Sequence, residues 1–283
     1  GRALHVGDLL LRAFGGLEPN GQLVVATRNG SPTATATPLR RLNVPGSGTV
    51  GQFGTVNGKN KKLAFAEADG TAVRISLKGG TGTAFYDGTN VDLVLSGTSA
   101  GSALVVKARG GSDGRVSLRD IRADGGLKSF TCKNADVTGT FFVNGPLGKV
   151  LLGTLSGTLA ATGSIGSLAT SGGLSSAMVL AGANLGTDGK LGGGDDAFAA
   201  ASIGRIAVKG AVATSTMEAG VNPTNGAFGD SDDQLAGGGS TIRQIVVKGG
   251  TDQQSRFIAG SIGKAKLPEN AVPGTDPRLI VLT

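Results

Sequence analysis

The sequence predicts an all-β chain wound as a right-handed parallel β-helix, a solenoid of about 18–22 residues per coil with a cap at each end. Three observations point there: a short phrase that returns through the second half of the chain, apolar residues that alternate in runs broken by glycine, and a composition dominated by small side chains.

The phrase reads Gly125-Gly126-Leu127-Lys128-Ser129-Phe130, then Gly145-Pro146-Leu147-Gly148-Lys149-Val150 and Gly163-Ser164-Ile165-Gly166-Ser167-Leu168. It returns as Ala201-Ser202-Ile203-Gly204-Arg205-Ile206, Gly239-Ser240-Thr241-Ile242-Arg243-Gln244-Ile245 and Gly260-Ser261-Ile262-Gly263-Lys264-Ala265. Its first apolar residues, Leu127, Leu147, Ile165, Ile203, Ile242 and Ile262, are separated by 20, 18, 38, 39 and 20 residues. Both doubled gaps hold a coil body ending in Ala-Gly (Ala181-Gly182, Ala219-Gly220), followed by 18 further residues, 183–200 and 221–238. The unit is therefore one coil of about 20 residues, and two coils carry a long loop on the same edge, where insertions into repeat folds are expected.

Inside a coil, Ile206 and Val208 alternate with Ala207 and Lys209, and Ile245 and Val247 alternate with Val246 and Lys248. Period two marks strands, and glycine supplies the positive φ of tight corners. Helical repeats would need longer amphipathic runs with far less glycine. The regular part runs from Gly125 to Ala265 within a segment 111–265. Over 61–110, Val73, Ile75, Leu77, Leu93 and Leu95 alternate but the coil phase is lost, and two early coils or a small antiparallel sandwich both fit. Residues 1–60 form an irregular N-terminal cap, in which Leu4, Leu9, Leu10, Leu11 and Phe14 predict a short sealing helix. Ser31–Pro38 reads as a loop or edge strand; its alternating threonines do not recur coil after coil, as an ice-binding row would. At 266–283, Pro268, Pro273 and Pro277 precede a last strand, Leu279–Leu282, that closes the other end.

With 51 glycines, no Trp, one Tyr (Tyr86), one His (His5), one Cys (Cys132) and 39% apolar residues, the chain builds a core from many small side chains. Cys132 shares a strand face with Phe130 and reads as an inert buried thiol, far in sequence from the one histidine a catalytic thiol would want. There is no run of 18 apolar residues, so no membrane span is expected. The opening Gly1-Arg2-Ala3-Leu4-His5 lacks a signal-peptide pattern. The net charge of +7 is uneven: residues 1–150 hold 18 Lys/Arg against 10 Asp/Glu, and the remainder 9 against 10. Few aromatics accompany those bases and no nucleic-acid motif appears, so nucleic acid is not an expected partner. Bases alternate from Arg115 to Arg122 as on a solvated face; an anionic glycan or cell-envelope surface is the partner such a charge would fit.

The two loops share a pattern. Asp188-Gly189-Lys190-Leu191-Gly192-Gly193-Gly194-Asp195-Asp196-Ala197-Phe198 aligns with Asn225-Gly226-Ala227-Phe228-Gly229-Asp230-Ser231-Asp232-Asp233-Gln234-Leu235, and Asn184 and Asn222 precede them. Clustered carboxylates in a Gly-rich loop are the oxygen ligands calcium takes, which makes Asp188, Asp195, Asp196, Asp230, Asp232 and Asp233 the candidate metal ligands. The same residue types also build metal-free turns, and neither the EF-hand nor the calcium β-roll spacing is present. Under either reading Leu191, Phe228, Phe198 and Leu235 pin the loops to the body.

The Gly-Ser-Ile-Gly-x-Leu phrase, the Ala-Gly-[Ala/Val]-Asn stop and the Asp-rich loop resemble the Gly-rich parallel β-helix repeats of large secreted bacterial surface proteins, of the haemagglutinin and autotransporter-passenger kind. The likeness covers about residues 60–265. It implies an extracellular, adhesin-like role beside neighbouring domains of a larger surface protein, and it transfers no catalytic residue. We therefore expect a structural or adhesive module without catalytic activity. A polysaccharide lyase or hydrolase is the alternative, with Arg205, Lys209 and Arg243 on coils near the acidic loops, although aromatic sugar platforms are scarce. A fibre or assembly component is a further alternative.

Overall fold

A two-residue turn sets the direction of the first strands. β1 (Gly48–Val56) and β2 (Lys59–Ala66) pair antiparallel with Val56 opposite Lys59. Only Asn57 and Gly58 join them, at φ 51° and 72°, the two left-handed residues a type I′ hairpin demands. β3 (Thr71–Lys78) returns along β2 after a turn in which Asp69 accepts hydrogen bonds from the Thr71 amide and hydroxyl. β4 (Thr81–Tyr86) pairs back to β1, β5 (Val91–Ser96) to β4, and β6 (Ala103–Gly110) to β3, all antiparallel. β7 (Val116–Ala123) and β8 (Leu127–Val137) complete the set: β7 lies parallel to β5, while β8 runs parallel to β6 through Ser129–Thr131 and to β7 through Ala135–Val137. Followed in order, β1, β2, β3, β6, β8, β7, β5 and β4 close an eight-stranded barrel with five antiparallel and three parallel pairings.

This computed structural model describes residues 48–192, 194–268, 273 and 275–283, and these lie in a unit spanning Pro45–Thr283. The helix expected around Leu4–Phe14, His5, the threonine stretch Ser31–Pro38 and Gly193 lie outside the described residues. Among those described there are strands and no helix.

The expected right-handed parallel β-helix is thereby corrected. The strands form one mixed sheet whose first eight close on themselves as a barrel, not a right-handed parallel β-helix with a cap at each end. Apolar alternation reports which face a residue takes and is blind to strand direction, so hairpins and parallel coils read alike. The segment 61–110, expected as early coils or a sandwich, supplies barrel strands.

Further strands stack on the barrel: β9 (Thr140–Val143), β10 (Leu147–Leu155), β11 (Thr158–Ala161), β12 (Ile165–Thr170), β13 (Leu174–Ser175), β14 (Met178–Ala181), β15 (Ala183–Asn184), β16 (Ala197–Phe198) and β17 (Ser202–Val208). They continue as β18 (Val212–Ala213), β19 (Thr216–Ala219), β20 (Val221–Pro223), β21 (Asp233–Leu235), β22 (Thr241–Val247), β23 (Arg256–Ala259), β24 (Ser261–Lys266) and β25 (Leu279–Val281). One ladder, β8, β10, β12, β17, β22 and β24, holds Leu127, Leu147, Ile165, Ile203, Ile242 and Ile262 as successive register partners. A second runs through β7, β9, β11, β14, β19, β23 and β25. Leu155, Leu174 and Val212 form a short third.

One apolar core runs from Phe53 in the barrel to Leu279, including Phe130, Phe141, Ile165, Ile206, Ile245 and Phe257. Glycine fixes how closely the rungs approach. A Cβ at Gly204 would lie 2.3 Å from the Gly166 carbonyl oxygen, and one at Gly166 2.5 Å from that of Gly148. Where glycine follows the first apolar residue of the phrase (Gly148, Gly166, Gly204 and Gly263), a Cβ would strike the carbonyl of the preceding rung, whereas Lys128 and Arg243 take the position on two other rungs.

Candidate functional site in two stacked loops

The second ladder has two buried faces. Val179 and Ala181 of β14 point into the main core, while Leu180 between them joins Phe142, Ala160, Ala183 and Leu185 in a separate cluster. That outer column continues through register partners as Phe142, Ala160, Leu180, Glu218 and Ile258. The two loops cover it. Leu191, Phe198 and Phe228 pack on the cluster, and Phe198 and Phe228 meet edge to face across the loops with ring centroids 6.3 Å apart.

Each loop leaves its rung at the Ala-Gly stop, with Gly182 at φ 86° and Gly220 at φ 60°. A Cβ at Gly182 would meet the Ala199 carbonyl oxygen at 2.1 Å. The loops then close as small antiparallel pairs, β15 with β16 and β20 with β21. Their internal hydrogen bonds repeat. Asp195 accepts from the Thr187 hydroxyl as Asp232 accepts from that of Thr224. Asp196 accepts from the Gly192 amide as Asp233 accepts from that of Gly229. Asp188 and Asn225 each take the amide two residues on.

The six sequence-predicted aspartates part company at this point. One oxygen each of Asp230, Asp232 and Asp233 lie within 4.8 Å of one another, and among the described residues this is the one such acidic group. Asp233 is only 9% exposed, and among the described residues its Oδ1 is buried without a hydrogen-bond partner, as is Oδ1 of Asp232. Burial pushes the Asp233 carboxyl upward, and the charges of Asp230 and Asp232 add to it. In the first loop Asp196 Oδ1 is likewise buried and unpartnered. There burial, then the charges of Asp195 and Asp188, raise its carboxyl against the pull of the Gly192 amide. Asp195 is held low by the Thr187 amide and hydroxyl, and Asp188 is exposed and occupied as a turn residue. Sequence alignment accounts for the asymmetry: the first loop has Gly193 where the second has Asp230.

Glu218 escaped the sequence reading. It is fully buried in an otherwise apolar column, its Oε2 accepts the Val221 amide at 2.9 Å, and its Oε1 has no partner among the described residues. Burial, with Asp233 adding, raises its carboxyl well above the ordinary glutamate value. Its sequence signal is a charge at a position where the neighbouring rungs carry Leu180 and Ile258. Arg205, Lys209 and Arg243, expected near the loops, belong to the β12–β17–β22 ladder or its edge, and no ion pair joins them to the six aspartates.

A second polar site, also unread in the sequence, lies where three barrel turns converge. A cavity of about 300 Å³ is lined by Glu67, Asp69, Tyr86, Asp113, Arg115 and Asp136, among others. Most of these groups are already engaged. Asp69 accepts from Thr71 and Ser112, Asp113 from the Arg115 amide, and Asp136 from Arg115 and Thr154. Among the described residues Glu67 has no such bond, and burial, with Asp69 and Asp113 beside it, raises its carboxyl to about 7. Cys132 is in the main core, its thiol pushed up to about 12 by burial. Arg115 and Arg119, which alternation assigns to a solvated face, are ion-paired with Asp136 and with Asp87 and Asp92. Arg122 stands over the Phe142 ring, 5.4 Å from its centroid.

No family model matches the chain, and neither a curated protein nor a solved structure gives a significant match. No helix among the described residues is long and apolar enough to cross a membrane.

Proposed function

We propose that the chain is a structural and adhesive module of the cell surface, without catalytic activity, whose second loop is held together by one divalent cation of the calcium class. The carrying observation is the group Asp230, Asp232 and Asp233, converging within 4.8 Å while two of its carboxylate oxygens are buried with nothing to bond. Like charges brought this close repel, and an unpaired buried anionic oxygen is costly. A cation that takes several oxygens in a flexible cage relieves both.

Support for a structural role comes from how the other acids are used. Asp124 accepts from the amides of Gly97 and Thr98, and Asp252 from the amides of Thr214 and Ser255. These carboxylates tie turns of different rungs together. The stacked loops are then a repeated projection on a stiff sheet, a form suited to holding a partner.

Calorimetric titration with calcium tests this reading. One ion per chain is expected, lost in Asp230→Gly, which copies the first loop, and retained in Asp188→Asn. Two ions, none at millimolar calcium, or binding indifferent to Asp230→Gly would refute it.

The Glu67 cavity favours a second reading, a polysaccharide-active enzyme in which a proton-holding carboxyl stands near ionised ones. Depolymerisation of an acidic polysaccharide that disappears in Glu67→Gln would establish that reading and displace the first.

A further inference from the structure

The positive charge of this chain is distributed by face. β2, β3, β6, β8, β10, β12, β17, β22 and β24 are consecutive neighbours in the sheet. Together these nine strands carry 14 Lys/Arg, all exposed, twelve on the outward side and two, Lys59 and Lys61, on the side of β2 that Leu63 and Phe65 take, against a single acid, Asp136, at the end of β8 that pairs with β7. Asp136 is itself consumed by Arg115 and Thr154. None of the fourteen bases makes an ion pair among the described residues.

The bases also crowd one another. Arg74 and Lys107 are direct cross-strand partners, and Lys209 and Lys248 each follow the register pair Val208 and Val247. Like charges placed opposite each other on a sheet are unfavourable. Across the rungs, Lys149 faces Ser129 and Ser167, and Ser167 faces Arg205. Rungs lie about 4.8 Å apart, well inside the screening distance of about 8 Å at physiological salt, so the charges reinforce one another. The residues between them are mainly Ser, Thr, Ala and Gly, and the aromatic rings of these strands, Phe65 and Phe130, belong to the core. A face with cations and no exposed ring has nothing on which to stack a base.

We propose that this nine-strand face binds a linear acidic polysaccharide, carboxylated or sulfated, laid across the rungs with its anions among the lysines and arginines. The proposal takes its setting from the adhesive reading and moves the ligand from the loops to the sheet; it needs no cation in the second loop.

Binding to immobilised heparin and polygalacturonate, each at several salt concentrations and with or without chelator, tests it. Expected is retention of both acidic polymers but not of neutral dextran, an affinity that falls steadily as salt rises, and no effect of chelator. The triple variant Lys149→Glu, Arg205→Glu, Lys264→Glu should bind at least about tenfold more weakly. Those three side chains are exposed, so the fold should hold, and an unchanged melting temperature checks this. Lys190→Glu, in the first loop, should bind as wild type. Failure to hold either polymer, or a triple variant that binds normally, overturns the proposal. Tighter binding to oligonucleotides or to vesicles containing phosphatidylserine overturns the choice of partner. Binding that vanishes with chelator returns the ligand to the loops, while calcium uptake without polymer binding leaves the loop reading standing alone.

Discussion

Leu180 and Glu218 are register partners on β14 and β19, both wholly buried beneath the loops, and one completes an apolar column that the other interrupts with a carboxyl group. An unpartnered oxygen at such a place is a cost in the folded state. Glu218→Leu, measured in chelator, is expected to raise stability by about 1–2 kcal/mol at pH 7, the lost Val221 contact offsetting part of the gain. Because the folded carboxyl titrates above its unfolded value near 4.5, its contribution is fully present below that pH and lost as pH rises. The advantage of the variant should therefore grow from pH 4.5 upward, which denaturant melts at several pH values will show.

Glu67 gives a second titration, confined to a narrower window. Its carboxyl moves from 4.5 to about 7 on folding, so wild type loses stability across that interval as pH increases. Melting temperatures of Glu67→Gln and wild type should coincide below pH 4.5 and separate, variant higher, towards pH 7.

Contact between rungs makes Gly204 intolerant of a side chain. Gly204→Ala should cost about 2 kcal/mol or more, since its Cβ would be driven against the Gly166 carbonyl. Gly238→Ala is the control: a Cβ there meets nothing within 4 Å, and its unfolding midpoint should be unchanged or slightly raised.

Asp136 joins two ladders by accepting from Arg115 on β7's edge and Thr154 on β10. Burial alone would raise its carboxyl, yet these donors hold it low. Asp136→Asn is expected to cost about 1–2 kcal/mol, the group being partly exposed and partly screened. Chemical denaturation measures it directly.

Cys132, 1% exposed and with its thiol raised to about 12, should resist thiol reagents in the native protein. Labelling followed by mass spectrometry should proceed only at the rate of unfolding; rapid modification under native conditions contradicts the core position.

Much of the second half was legible because spacing maps directly onto register. Leu127 through Ile262 recur at intervals that make each the next one's neighbour. The barrel was not, because Val73, Ile75 and Leu77 alternate the same way in either strand direction, and the one local clue, Asn57-Gly58, lies just before the segment where coil phase fails. The loops announced themselves by duplication, but duplication hides difference. That Asp230 completes a triad, while Gly193 replaces it in the first loop, needs the convergence of side chains to acquire meaning. Glu218 and Glu67 were invisible for a related reason: each depends on neighbours about 15 to 46 residues away in sequence, Asp233 for one and Asp113 for the other.

The barrel also bears on the order in which this chain acquires its structure. Its hairpins join residues close in sequence, such as Val56 with Lys59 and Phe65 with Val73, whereas every later rung must find a partner 18 to 40 residues back. Local pairings form fastest, and during synthesis the earlier part of a chain folds first. Those hairpins are the pairings this chain can close at least entropic cost, while ring closure, as in Thr71 with Gly110, and the later rungs both wait on distant partners.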